Sequence, residues 1–302
     1  MKNLPSPSRA GARGDLTAAL KTYRYKGQVR GYSASPEEID GLIALYDVYD
    51  GSPATPPAEL KGATLPNDLR VALQAAFDLT QAGRRLSHIR SDIFKDIEQC
   101  PICGIDAPGE LDHYLPQSQF KPLSIYTRNL VPLCHDCNQK KRSYYSEVPE
   151  EQFIHAYLEI LPNVQFLKAT VKIENDSLLV DFDIDETIEF DELLRARLSY
   201  QLKELDLNRR YRREVNVYLS SFAVSLKIAH DTGGATEVRR FLTLQATYED
   251  DRFHRNHWRP VLLRALAESL EFCDLGFANV LPLPASLLGS FVHLRAAEAN
   301  VS

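Results

Sequence analysis

The chain has 302 residues, 44% of them hydrophobic, which is enough for a sizeable core and about two domains. A net charge of −6 and a pI near 5.8 argue against attraction of the whole molecule to a polyanion, so any nucleic-acid surface has to be a local basic patch. No apolar run approaches the ~18 residues of a membrane span, and residues 1–14 lack the apolar core of a secretory signal, so the expectation is a cytoplasmic protein with no membrane partner.

Residues 1–14 are rich in Pro, Ser, Gly and Arg and read as a disordered tail. Lys21, Arg24, Lys26 and Arg30 then alternate loosely with Tyr23, Tyr25 and Tyr32, as either a solvated loop or an arm that touches nucleic acid. Ser35, Pro36 and Glu38 have the N-cap, N1 and N3 spacing of a capping box, and they predict a helix to about residue 50. Leu69, Ala72, Leu73, Ala76 and Phe77 give the stripe of a second helix, with a break at Gly83. These elements make up a helical N-terminal region, 15–98. A short helix is expected over 150–161, then strands over 164–173 and 178–184 joined at Asn175 and Asp176. Helices over 191–205, 208–230, 236–248 and 260–272 follow, with Gly233 and Gly234 as a break. Residues 147–302 thus read as a mainly helical C-terminal domain with a β-hairpin.

Between these regions, residues 99–146 carry the chemistry. Cys100 and Cys103 form one C-x-x-C knuckle, and Cys134 and Cys137 form another. Four thiolates at this spacing can converge on one tetrahedral structural zinc, with an iron–sulfur centre or unrelated free thiols as the alternatives. Paired knuckles with one odd cysteine, Cys273, fit a metal site in a reducing compartment better than a disulfide framework. Most such units only hold a fold. Here Asp112 and His113 lie between the knuckles, Asn129 precedes the second, and Asn138 directly follows it.

The order C-x-x-C, D-H-x-x-P, N-L-x-x-L-C and C-N-x-x-K over about 100–142 resembles the HNH endonuclease family. The resemblance implies a ββα-metal module, and so an α+β, mainly helical chain with that module inserted. It implies His113 as general base, Asp112 and Asn138 as ligands of a catalytic Mg²⁺ or Mn²⁺, and Asn129 as the residue that orients the hairpin. Asn138 stands where the family's last letter is nominally His, and its amide oxygen suits a hard cation. Lys140, Lys141 and Arg142 follow on the same predicted helix, either as a grip on flanking phosphates of nucleic acid, DNA foremost, or as a solvated helix end. The longer string from Asp112 to Pro122 is similar to HNH subunits of Septu-type and retron anti-phage systems, which implies an ATPase partner. Two rivals stay open: a zinc module that binds nucleic acid without cutting it, and a nuclease subunit that is silent alone. A further basic cluster, Arg209, Arg210, Arg212 and Arg213, could hold DNA backbone or simply pair with nearby acids.

Overall fold

The computed structural model describes residues 1–52 and 55–287. The chain is a mainly helical α+β protein, and the strands among the described residues form three separate two-stranded antiparallel sheets. It divides into two units: Met1–Asn163 with Phe190–Leu205, and Val164–Glu189 with the described residues from Asp206 on. The cut therefore falls at 163–164 rather than at 146–147, and the helix expected over 191–205 belongs to the first unit.

In the first unit, α1 (Ala12–Ala19) is followed by a hairpin of β1 (Tyr23–Tyr25) and β2 (Gln28–Arg30), and then by α2 (Pro36–Gly51). The capping box that starts α2 is complete: Ser35 N–H donates to Glu38 at 2.8 Å, and Glu38 N–H donates to Ser35 Oγ at 3.2 Å. Ile39, Leu42, Tyr46 and Tyr49 form its buried face. Tyr46 stacks on Tyr126 at 3.9 Å, while the Tyr126 hydroxyl donates to Asp50 at 2.7 Å. Those contacts fasten α2 to the residues just before Asn129. The predicted long helix is two pieces, α3 (Asn67–Ala76) and α4 (Ser87–Phe94), with Gly83 in the connection.

Residues 1–14 are not a disordered tail. Met1 and Leu4 are buried, Lys2 N–H donates to the Pro101 carbonyl at 2.8 Å, and Leu4 N–H donates to the Ala156 carbonyl at 2.8 Å. Composition suggested disorder, but the backbone donors find distant acceptors and two apolar side chains find the core.

The central module is a hairpin of β3 (Glu110–His113) and β4 (Leu130–Leu133) followed by α5 (His135–Lys141). The register pairs Asp112 with Val131 and His113 with Leu130. The helix expected over 150–161 is absent except for a 3₁₀ turn at Pro149–Glu151. Side chains claim the backbone there. Arg197 Nε donates to the Gln152 carbonyl at 3.2 Å and its Nη2 to the Phe153 carbonyl at 2.5 Å, and Ile154 N–H donates to Gln201 Oε1 at 3.0 Å. Both residues come from α6 (Glu192–Glu204), which Asp191 caps by accepting from Leu194 N–H at 2.7 Å.

In the second unit, β5 (Leu167–Glu174) and β6 (Ser177–Ile184) turn at Asn175 and Asp176, both in the left-handed region that a type I′ hairpin turn needs. Helices α7 (Leu207–Ser220), α8 (Ala223–Arg252), α9 (Trp258–Glu268) and the short α10 (Phe277–Val280) complete it. Phe182 meets Tyr211 edge-on at 5.0 Å, and Tyr211 stacks on Trp258 at 6.1 Å. The glycine break is real: Gly233 and Gly234 leave helical geometry inside α8. The helix expected over 208–230 stops at Ser220 and restarts at Ala223. In the basic cluster, Arg209 pairs with Asp206, Arg212 pairs with Asp181, and Arg210 is buried, so its cations mostly serve this unit's own carboxylates and core.

Candidate active site

The four knuckle cysteines are buried, and their sulfurs all lie within 4.8 Å of one another. The Cys103 and Cys134 sulfurs are 3.7 Å apart, far beyond a disulfide bond. That distance matches the edge, about 3.8 Å, of a tetrahedron with zinc–sulfur bonds of ~2.3 Å. The donor set therefore fits a structural zinc. Cys134 is the N-cap of α5 and Cys137 sits in its first turn, so the same four sulfurs that would hold the ion fix the start of the helix against the first knuckle. Among the described residues this is the one group of three or more His, Cys, Asp or Glu side chains whose ligand atoms already converge so closely.

Alternation along β3 sends Glu110 and Asp112 to one face and His113 to the other. The first face meets α5, from which His135, Asn138 and Lys141 project at intervals of three residues. Glu110 accepts from His135 Nδ1 at 2.7 Å and from the Asn138 amide. The His135 contact, then Asn138, holds the Glu110 carboxyl below the usual range, and Glu110 in turn raises His135. Asp112 is only 6% exposed, and its Oδ2 lies 2.7 Å from the Lys141 ammonium. Ile102, Val131, Phe153 and Ile154 line the cleft around this pair, so burial pushes the Asp112 carboxyl up while Lys141 opposes the shift.

On the other face, His113 Nε2 lies 2.9 Å from the Ser124 carbonyl oxygen. A carbonyl only accepts, so Nε2 carries the proton and Nδ1 of the neutral ring holds the lone pair. The ring packs on Phe77 with centroids 4.4 Å apart. Burial, with a smaller push from Lys141, lowers the His113 pKa to about 4 against the opposing Ser124 contact.

Asn129 is fully buried and every polar atom of its amide is used. Oδ1 accepts from Leu115 N–H at 2.8 Å and from the Tyr49 hydroxyl at 3.1 Å. Nδ2 donates to the carbonyls of Leu115 at 3.1 Å and Leu123 at 3.3 Å. One side chain thus closes both ends of the loop whose next residue, Ser124, orients His113. Behind Tyr49 stands His155. Its Nδ1 accepts from the backbone N–H groups of Tyr157 and Leu158, so its Nε2 donates to the Tyr49 hydroxyl at 2.8 Å.

The structure brings His113, Asp112 and Asn129 together on and beside β3, with Asn138 facing the same strand from α5. It sets Asn138 against Glu110 and Asp112 against Lys141. Lys141 is not a phosphate grip as it stands. It is 5% exposed and also donates to the His113 carbonyl at 2.8 Å, because the i+3 spacing from Asn138 turns it inward over Asp112. Lys140 and Arg142 are exposed at the end of the helix. Glu110, Tyr49 and His155 were missed in the sequence. The strand alternation E-L-D-H could have placed Glu110 on the Asp112 face, while nothing local marks Tyr49 or His155. His88 lies at the surface, paired with Asp15 at 2.9 Å, and His293 falls outside the described residues.

The HNH endonuclease family profile matches residues 100–143. The chain carries an HNH endonuclease domain. Protein ea31 of Escherichia phage lambda is 26% identical to the chain over 194 residues, covering 58% of the chain. The chain spans 63% of the length of that relative. No solved structure matches the chain. Among the described residues no helix is long and apolar enough to cross a membrane.

Proposed function

We propose that this chain is a metal-dependent HNH endonuclease that hydrolyses phosphodiester bonds in DNA. The observation that supports it most is the hydrogen bond from His113 Nε2 to the Ser124 carbonyl, because it leaves Nδ1 as an oriented base, neutral at physiological pH. His113 Nδ1 takes a proton from water, the water oxygen bonds to phosphorus, and the 3′ oxygen departs. Asp112 and Asn138 would hold the Mg²⁺ or Mn²⁺, with Glu110 as a further carboxylate on the same face of β3. Their hard oxygen donors suit such an ion, and the Lys141 ammonium on Asp112 marks a position where positive charge is already stabilised. When bound, the cation neutralises charge on the phosphate and the leaving oxygen. Asn129 positions the loop that orients the base.

Nicking of supercoiled plasmid with Mg²⁺ or Mn²⁺ tests this. Wild type nicks, and His113→Ala with its fold and zinc content intact loses about 10²–10⁴ in rate. Equal nicking by both proteins sinks the assignment.

A second reading, a nuclease subunit that is silent alone, is favoured by one observation: Asp112 is buried under Lys141 while Phe77 covers His113. The string from Asp112 to Pro122 supports the finer form of it, an anti-phage defence subunit that works beside an ATPase. Co-purification of an ATPase from the native host, with nicking only in the complex, is the expected outcome there.

A further inference from the structure

The β1–β2 hairpin stands apart from the rest of its unit in composition and exposure. All six of its paired residues are exposed, and Tyr23, Tyr25 and Val29 are at least half uncovered. A three-pair hairpin with no buried face is marginal in water, so its stem has to hold it. Ala34 N–H donates to the Leu20 carbonyl at 3.3 Å, and Leu20 is buried. Gly31, at φ +85°, passes so close to the Lys21 carbonyl that a Cβ would lie 2.6 Å from it. Lys26 and Gly27 supply the two positive φ angles of a tight type I′ turn at the tip.

Its charge has one sign. From Leu16 to Pro36 there is no acidic residue, while Lys21, Arg24, Lys26 and Arg30 give +4 in a chain whose net charge is −6. Among the described residues, none of the four is paired with a carboxylate. The pairing Tyr23 with Arg30 and Tyr25 with Gln28 puts both tyrosines, the arginine and the glutamine on one face, with Arg24 and Val29 on the other. Lys26 and Arg30 flank the Tyr25 ring at 5.5 and 5.4 Å, so cations surround an uncovered aromatic face. Tyr32 is not part of that face, since its hydroxyl is committed to Glu38 at 2.5 Å.

We infer that this ribbon is a clamp for duplex DNA, taking from the nuclease proposal only the nature of the substrate. Its four cations, none paired with a carboxylate among the described residues, match a polyanion. A two-stranded ribbon has the width of the major groove, where the cations reach phosphates on either side while Tyr23, Tyr25 and Gln28 face the groove wall. The clamp adds to the HNH motif a substrate contact drawn from residues about 75 positions earlier in the chain.

The test is equilibrium binding of a 25-base-pair duplex of ~8 nm length by the full chain carrying His113→Ala, across 50–200 mM salt. It is compared with the same chain carrying Lys21→Gln, Arg24→Gln, Lys26→Gln and Arg30→Gln as well. These side chains are exposed and hold nothing in the core, and circular dichroism and zinc content check that the fold is kept. The expected result is a salt dependence shallower by about 2–4 in log–log slope, at ~0.9 per lost phosphate contact, with weaker binding at every salt. Tyr23→Ala with Tyr25→Ala weakens binding while leaving the slope unchanged. Equal affinity and slope in the charge variant overturn the clamp, and so does a loss confined to single-stranded oligonucleotide. Plasmid nicking is scored separately. Nicking by wild type with an indifferent ribbon removes the clamp alone, whereas ribbon-dependent binding without nicking removes the nuclease reading alone.

Discussion

On the face of β3 turned to α5, Glu110 and Asp112 meet His135 and Lys141 as ionisable partners, and the Asn138 amide donates to Glu110. On the face turned to the 115–124 loop, His113, Asn129, Tyr49 and His155 are neutral, and each hydrogen bond has a settled donor and acceptor. The contrast separates exchange from support. A charge pair such as Asp112 with Lys141 is held by a partner that another cation can replace, and it is costly to break by removing one member. A saturated neutral network has no such alternative, so it fixes geometry and nothing more. The strand between them carries His113 next to Asp112, on opposite faces.

The largest effect should come from the centre that holds both faces in place. Stripping the cysteine site with a strong chelator removes a zinc whose apparent contribution in small zinc units is roughly 10–16 kcal/mol, so residues 99–146 should lose ordered structure. Retention of a cooperative melt with no zinc bound would refute that dependence. Next comes Lys141→Met, which leaves the buried Asp112 carboxylate without its counter-charge and should cost about 3–5 kcal/mol. Adding Asp112→Asn should recover most of the loss, and denaturant midpoints of the single and double variants read the coupling directly.

The neutral face responds to acid instead. Burial lowers the His155 pKa from 6.5 to about 3. Between those values the unfolded chain binds a proton that the folded chain refuses, so stability is full above about pH 6.5 and falls as pH drops towards 3. His155→Gln should remove its share of that slope and leave the share from His113, whose pKa is lowered to about 4, measured by urea midpoints between pH 7 and pH 5. The smallest effect is expected for Tyr49→Phe, which strands the His155 Nε2–H and removes one donor from Asn129. It should cost about 1–2 kcal/mol and lower kcat while leaving KM in place, because the loop that orients His113 loosens but no substrate contact is lost. A change confined to KM would contradict a positioning role.

The sequence was informative where the chemistry is local. The two knuckles, the Asp112 and His113 pair, Asn129 and Asn138 lie within 39 residues, counting 100 to 138, and their order carries the family resemblance that implied the ββα unit the family profile now covers. The capping box at Ser35 and the Gly233–Gly234 break were equally plain, since each is set by its own few atoms. What failed depended on distant partners. Residues 150–161 had helical composition, but Arg197 and Gln201, some 40 to 50 positions later, take the backbone groups a helix would use. The 1–14 segment looked solvated until Met1 and Leu4 found the core. Residues 23–30 were read as a loop or an arm, although Tyr-Arg-Tyr before Lys26 and Gly27 is a hairpin signal in its own right. Tyr49 and His155 carry no motif and become visible only when α2 and the 153–158 segment meet at Asn129.

The route of the chain between its two units has a consequence for synthesis. The polypeptide completes both knuckles by Cys137, leaves the first unit at Asn163, makes the β5–β6 hairpin of the second unit, and returns with α6 before leaving for good at Leu205. Every residue of the HNH motif has therefore been synthesised some 60 residues before Arg197 can fasten the segment at 152–153. A fragment ending at 163 contains all the motifs yet lacks that fastening. Its silence in a nicking assay would be expected of an unlatched scaffold, and tests of the nuclease proposal on fragments should start from pieces that run through Leu205.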